Sequence, residues 1–582
     1  MIQRMELDDE VIRRLGARPG SIEGPLVSGQ ISRRMLALLG LLKIVEHHHP
    51  ELFLRADVPA SRRLLGEAQR ADRPVTNDLI RTPAIGNWLM QCVSHHRAGA
   101  TDALERELGY LGAVAAAACF HAALPFETTA RTRDDGSLMV PGLGLLVVAD
   151  GPEWVRLRGS GGDSIDVVGR AVIGPDEPET DRWKPLRRLR SEAHGLSIEL
   201  ILDDVDPYRG HYLPPVTGRL APAELTRWRQ LFDTAWEIIT RQPEQALALR
   251  SGFRSLVPLE PDDRAPFVSA TTRDAVGAAG ITCRTGDALA EALVHEYQHS
   301  VLWALLDVVD LVEDDPTPSF YAPWRSDPRP GRGLLHGAFA FHGLLRYWAA
   351  RATSDPGPAG RVAAFELALW RIGVRTVIRQ LADSTLLTAE GVALVDGMHA
   401  TLDEMVEHPV PADLQRSAEA IALDLWTTWR LRNRRPDPAE IRSCCAAWTT
   451  GSARPPIGGW TLVDEGSRVA GTPRLALLRR RLAGGMPEAD TTANTADVHW
   501  IDGDLVRAAT LYATALDDAD DPSASWSGLL LAWHLLNRPY APTLLEFPEH
   551  VRATFECIER CSGYAPELTR FADWFSRGES QG

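Results

Sequence analysis

Residues 291–309 read EALVHEYQHSVLWALLDVV, and His295-Glu296-Tyr297-Gln298-His299 within them forms the pattern H-E-x-x-H. Histidines spaced in this way share one helix face, so both imidazoles can reach one metal ion. Glu296 fills the position that serves as general base in zinc peptidases. The motif therefore admits two chemistries: hydrolysis by a zinc-bound water, or a metal site put to another use. Its surroundings favour a metal of some kind. Leu289, Leu293, Val294, Val301, Leu302, Leu305 and Leu306 flank it, and burying an unpaired polar group costs roughly 2–7 kcal/mol. An ion satisfies both imidazoles and the carboxylate; the rival is a hydrogen-bonded structural cluster.

Two histidines need a third ligand. The next apolar stretch, GLLHGAFAFHGLLRYWAARA, offers His336 and His342. Their directions on a helix differ by about 120°, so they are not expected to bind the same ion. His336 starts the helix after a proline-rich loop and faces the pair in the simplest hairpin-like geometry, which makes it the predicted third ligand. Glu313, Asp314 and Asp315 are further candidates; a carboxylate there would give the two-histidine-one-carboxylate set of non-haem iron oxygenases. The same loop carries Arg325, Arg329 and Arg332. Guanidinium groups hold carboxylates bidentately, which suits an oxygenase with a dicarboxylate co-substrate and is not needed by a peptidase. The plainer alternative is that these arginines solvate the loop or pair with the acids at 313–315.

The elements that must position these residues are mostly helical. The motif is expected on a helix over Asp287–Val312. EDDPTPSFYAPWRSDPRPGRG (313–333) is too rich in proline to be helical, and further helices run to about 435. Upstream, residues 1–70 read as helices, with His47-His48-His49 at a solvated helix end because adjacent side chains point about 100° apart. RTPAIGNWLMQC and DALERELGYLGAVAAAACFHAAL read as buried helices. Residues 126–173 alternate short β-prone runs with Asp-Gly, Pro-Gly and Gly-Gly turns, the mark of antiparallel strands. LSIELILDD (196–204) adds a strand, and Asp203, Asp204 and Asp206 after it admit either a cation or turn chemistry. From 222 the chain turns helical, with a polar connector at 258–286. Arg435-Pro436 suggests a boundary, and 503–533 reads as one tetratricopeptide-like helical pair. The predicted class is α+β, mainly α-helical: a helical region at 1–75, an α+β segment with antiparallel strands at 76–221, a helical H-E-x-x-H metal core at 222–435, and a C-terminal helical region at 436–582.

A chain of 582 residues has room for about three or four domains. Its net charge of -16 argues against general nucleic-acid binding. Lys43 and Lys184 are the only lysines, which reads first as coding bias. The cysteines (Cys92, Cys119, Cys283, Cys444, Cys445, Cys557 and Cys561) are scattered, as in reduced thiols of a cytosol. Cys557 and Cys561 can share a helix face, but core packing is the expected role for both. The opening MIQRMELDDEVIRRLG is charged and amphipathic, unlike a signal peptide. The alanine-rich run at 108–126 suits a buried helix better than a membrane span. The expected location is cytoplasmic, with no membrane partner.

Several spaced blocks then point to one family. LAEALVHEYQHSVLWALLDVVDL, APWRSDPRPGRGLLHGAFAF, and upstream RTPAIGNWL, VPGLGLL and LDDVDPYRG resemble the H-E-x-x-H-type peptide-modifying proteins of ribosomally synthesised, post-translationally modified peptides, over roughly residues 30–435. The resemblance implies an Fe(II)- and 2-oxoglutarate-dependent β-hydroxylase of a precursor peptide, with His295 and His299 as iron ligands and His336 as the third. It places Glu296 at the family's glutamate. It also implies that an arginine, Arg329 or Arg332, grips the distal carboxylate of 2-oxoglutarate, and that the β-rich segment and the tail dock the peptide. The alternatives are a cytosolic zinc peptidase with Glu296 as base, and a non-catalytic peptide-binding protein with a structural metal.

Overall fold

Helices dominate the chain and small sheets punctuate them, in two units spanning residues 1–310 and 311–582. The computed structural model describes residues 7–578 except 19, 149–150, 211–213, 261–267, 283–284, 465, 467–470, 486–491 and 517–521. Cys283 lies outside the described residues. The division between the units falls inside the segment 222–435, just after the motif helix.

In the first unit the strands are β1 Pro125–Arg131, β2 Ser137–Val140, β3 Gly144–Val147, β4 Trp154–Ser160, β5 Ile165–Val167, β6 Ala171–Ile173, β7 Trp183–Pro185, β8 Arg187–Ala193, β9 Leu196–Leu202, β10 Ser255–Pro258, β11 Ser269–Ala270 and β12 Ala278–Ile281. The turn-rich segment forms antiparallel sheets as its alternation predicts, one in the order β1-β4-β5-β6 and one in the order β2-β3-β7. Phe126, Thr128 and Ala130 of β1 point inward, as a half-buried strand requires. The alanine-rich run becomes the helix Leu111–His121, buried along nearly its whole length against this sheet. Among the described residues, no helix is long and apolar enough to cross a membrane.

The fit of that helix on the sheet depends on one missing side chain. A Cβ on Gly112 would lie 1.7 Å from the Thr129 carbonyl oxygen, a backbone atom that cannot swing aside. Gly112→Ala is therefore expected to lower the stability of this unit by about 1–3 kcal/mol or more, read as a lower denaturation midpoint with an unchanged m value.

A five-stranded mixed sheet, ordered β11-β12-β10-β9-β8, supports the motif helix. β10 runs parallel to both β9 and β12, while β11 is an antiparallel edge strand. The expectation of a polar connector at 258–286 is corrected here, because β11 and β12 lie within it. β10 and β12 are four-residue strands buried at every position. Strands covered on both faces show no alternation, so periodicity cannot find them.

Among its described residues, the regular elements of the second unit are helices apart from the pair β13 Arg434–Pro436 and β14 Trp460–Leu462. The helix Gly331–Ser354 packs along Gly357–Asp383, which also meets Ala389–Val406 and Ala412–Asn433. Residues 503–533 contain the helices Leu505–Thr514 and Pro522–Leu535, packed on each other. Tyr512 of the first lies against Gly528 of the second, where a Cβ would come within 2.4 Å of its ring.

Candidate metal centre

The motif helix runs from Gly286 to Leu306. Thr285 caps it, its hydroxyl accepting the Ala288 N–H at 3.3 Å. It ends earlier than Val312, where Asp307 takes the Arg273 guanidinium at 3.0 Å. Tyr297 ties the helix to the chain's beginning: its hydroxyl donates to the Gly20 carbonyl at 3.1 Å and accepts the Ile22 N–H at 3.2 Å. Ser300 accepts the Gly277 N–H at 3.3 Å, anchoring the helix beside β12. Gly286 lets the first turn approach Thr234 of the helix Pro222–Ile239.

From Leu289 to Leu305 every residue is buried except Glu291, His295, His299 and Trp303. These four repeat at i, i+4, i+8 and i+12, one stripe along an otherwise enclosed helix. The rings of His295 and His299 stand edge to face with centroids 4.9 Å apart. Burial lowers the His299 imidazole to about 4; burial, then His299, holds His295 well below its ordinary range. Both rings are therefore neutral at pH 7, the form that donates a nitrogen lone pair to a metal. The donor set fits a metal held by two imidazoles. Within this unit, among the described residues, the two imidazoles belong to no group of three His, Cys, Asp or Glu donor atoms that all lie within 4.8 Å of one another.

Glu296 faces the sheet. The Ser269 hydroxyl, on edge strand β11, donates to its Oε1 at 2.6 Å. Among the described residues, Oε2 is buried with no hydrogen-bond partner. Burial pushes this carboxyl up to about 7, against the opposing pull of the Ser269 and Thr271 hydroxyls. A carboxyl tuned in this way can hold a proton or accept one near neutrality.

The remaining predicted residues belong to the second unit. His336 sits half-buried on the second turn of Gly331–Ser354. His342 is buried and bonded to the Met398 carbonyl; burial, then Arg346, lowers it to about 3. Its Nε2 is buried with no hydrogen-bond partner among the described residues. Glu313 and Asp314 are exposed, and Asp315 accepts the Thr317 N–H at 2.9 Å. Arg325 grips Asp327 through two bonds, at 2.9 and 3.2 Å, and Arg329 reaches the same carboxylate at 3.3 Å. Arg332, half-buried at the start of the next helix, shares in neither contact. Asp327 is the residue that sequence reasoning missed, although its place between the two arginines was a visible signal.

The acids of LDDVDPYRG follow turn and ion-pair chemistry. Asp203 Oδ1 accepts the Asp206 N–H at 2.9 Å, and Asp206 Oδ1 accepts the Tyr208 N–H at 2.8 Å. Asp204 takes Arg219 at 2.7 Å and Arg187 at 3.2 Å. Burial raises both Asp203 and Asp206; Asp206 raises Asp203 further, while Arg209 and Arg133 oppose the rise at Asp206. Acids raised in the native state keep protons that the unfolded chain has released. Their contribution to stability is thus full below the ordinary carboxylate range of about 4 and is lost as pH climbs towards neutrality. Asp203→Asn keeps an acceptor for the turn and removes the charge. Its Tm is expected to match the parent chain at about pH 4 and exceed it at about pH 8, as followed by thermal unfolding across that range.

The chain matches no family model and no curated protein.

Proposed function

We propose that this protein is an Fe(II)- and 2-oxoglutarate-dependent hydroxylase acting on a side-chain β-carbon of a ribosomally made precursor peptide. The observation that carries the reading is the pair of neutral imidazoles, His295 and His299, on one half-buried stripe of a helix that is mostly buried. When bound, Fe(II) supplies the oxidative chemistry: 2-oxoglutarate and O2 are consumed, succinate and CO2 leave, and one oxygen atom enters a C–H bond. The chain's own residues supply binding and orientation. His295 and His299 hold the metal through ring nitrogens. His336 is proposed as the third ligand, following the resemblance. Because Arg325 and Arg329 already share Asp327, Arg332 is proposed as the guanidinium for the distal carboxylate of the co-substrate. The edge strand β11, joined to Glu296 through Ser269, is the proposed place where an extended peptide binds by adding a strand. The C-terminal helices are a second proposed docking surface.

A second reading, zinc-dependent peptide hydrolysis, is favoured by one observation: Glu296 lies beside that edge strand with its carboxyl pushed up to about 7. In this reading Glu296 Oε2 takes a proton from water.

One experiment separates the two. The protein is loaded with Fe(II) without air, then given 2-oxoglutarate, O2 and a candidate precursor peptide. Hydroxylation adds about 16 Da to the peptide and yields succinate in equal amount. Cleavage with Zn(II) alone, with no succinate from the iron form, overturns the hydroxylase.

A further inference from the structure

Of the two C-terminal cysteines expected to pack in the core, Cys557 is half-buried and Cys561 is exposed. Cys557 and Cys561 stand one turn apart on the helix Pro548–Ser562, and Cys445 stands on Pro438–Thr450, which packs against it. The three Sγ atoms lie within 4.8 Å of one another. Cys445 is buried, Cys557 half-buried and Cys561 exposed, so the cluster has a closed floor and a mouth at solvent. Core packing accounts for Cys445 and leaves Cys561 unexplained.

We propose that Cys445, Cys557 and Cys561 form a three-thiolate site for a thiophilic d10 cation, Zn(II) or Cu(I). Metal–sulfur bonds of about 2.3 Å place the sulfurs of such a site roughly 4 Å apart, so small side-chain rotations close the cluster. Thiolates select soft ions, and among the described residues no carboxylate joins the group to favour Mg(II) or Ca(II). Binding exchanges S–H bonds for S–metal bonds and releases the protons to solvent, with no change of oxidation state. Three sulfurs complete a trigonal Cu(I) centre. Zn(II) takes a water as fourth ligand, and the exposed Cys561 side provides room for it. Either ion would pin two helices that come from distant parts of the chain.

The test uses the full-length reduced protein without air, titrated separately with Zn(II) and with Cu(I) against a chelator of each. Alkylation is followed cysteine by cysteine by mass spectrometry, so an ion held by His295 and His299 does not register. One of the ions is expected to slow labelling of Cys557 and Cys561 about tenfold or more, and the ion that does so identifies the occupant. Cys561→Ser, a change at an exposed position that leaves the fold intact, is expected to weaken that ion's binding by about 10–100-fold. Labelling rates unchanged by both ions, or a Cys561→Ser protein that binds like the parent, overturn the site.

Discussion

His295→Ala and His299→Ala are each expected to weaken Fe(II) binding by about 100-fold or more, the upper end of what losing even an outer-shell partner costs a metal site. Metal content after anaerobic loading and desalting measures this, and succinate formation is expected to fall with it. The loss has a specific cause. The two rings share one stripe, and the side chains between them, Glu296, Tyr297 and Gln298, are buried on other faces of the helix. His342→Ala is the contrasting variant: its ring bonds to the Met398 carbonyl inside the second unit. It is expected to lower stability and leave metal content unchanged. His336→Ala tests the third ligand, with loss of metal expected. Glu296→Gln then divides the two chemistries. A hydrolase that needs Oε2 as proton acceptor is expected to lose about 100-fold or more in rate, whereas a hydroxylase in which the carboxylate only braces Ser269 keeps much of its succinate yield. Iron and zinc binding that survive intact in both histidine variants would end the metal-site proposal.

Arg474→Met is expected to cost the C-terminal unit about 3–5 kcal/mol. The guanidinium is fully enclosed. Arg474 donates to Asp424 at 2.5 and 3.0 Å, to Asp497 at 2.8 Å, to the Tyr512 hydroxyl at 3.2 Å and to the Ala524 carbonyl at 3.0 Å. Asp424 also accepts the Ser527 hydroxyl at 2.7 Å. Removing the cation leaves two carboxylates in a space sealed from water, and that uncompensated burial dominates the effect. Thermal unfolding of the full chain is expected to show the drop in the transition of this unit. Arg361→Met is the control. Its ion pair with Asp413 has side chains 48% and 54% exposed, so solvent screening limits the expected change to about 0–1 kcal/mol. Equal losses in the two variants would show that burial does not set the value of the Arg474 network.

Much of the fold was legible because its signals are local. Apolar residues at helical spacing marked the motif helix, the alanine-rich helix and the pair at 503–533. Asp-Gly and Gly-Gly turns marked the antiparallel strands. β10 and β12 escaped because short strands buried on both faces carry no alternation. The candidate site was legible where its residues share one helix, as His295 and His299 do. It was not legible where a partner comes from elsewhere. Nothing in the order of residues announces that Ser269 holds Glu296 or that Cys445 meets Cys557 and Cys561. Asp327 stood beside its arginines in the sequence, but a loop acid has many possible partners.

The sequence by itself determined that two imidazoles would lie on one face, because 3.6 residues per turn is a property of the backbone and needs no tertiary context. It likewise determined the mainly helical content and the net negative charge. Tertiary structure decided that this face is a half-buried stripe on a helix whose other positions from Leu289 to Leu305 are buried, that burial pushes the glutamate between the histidines up to about 7, and that three thiols from two helices converge. Each of these depends on which distant segments pack together. That choice is made by burial over the whole unit, and no spacing within one segment encodes it.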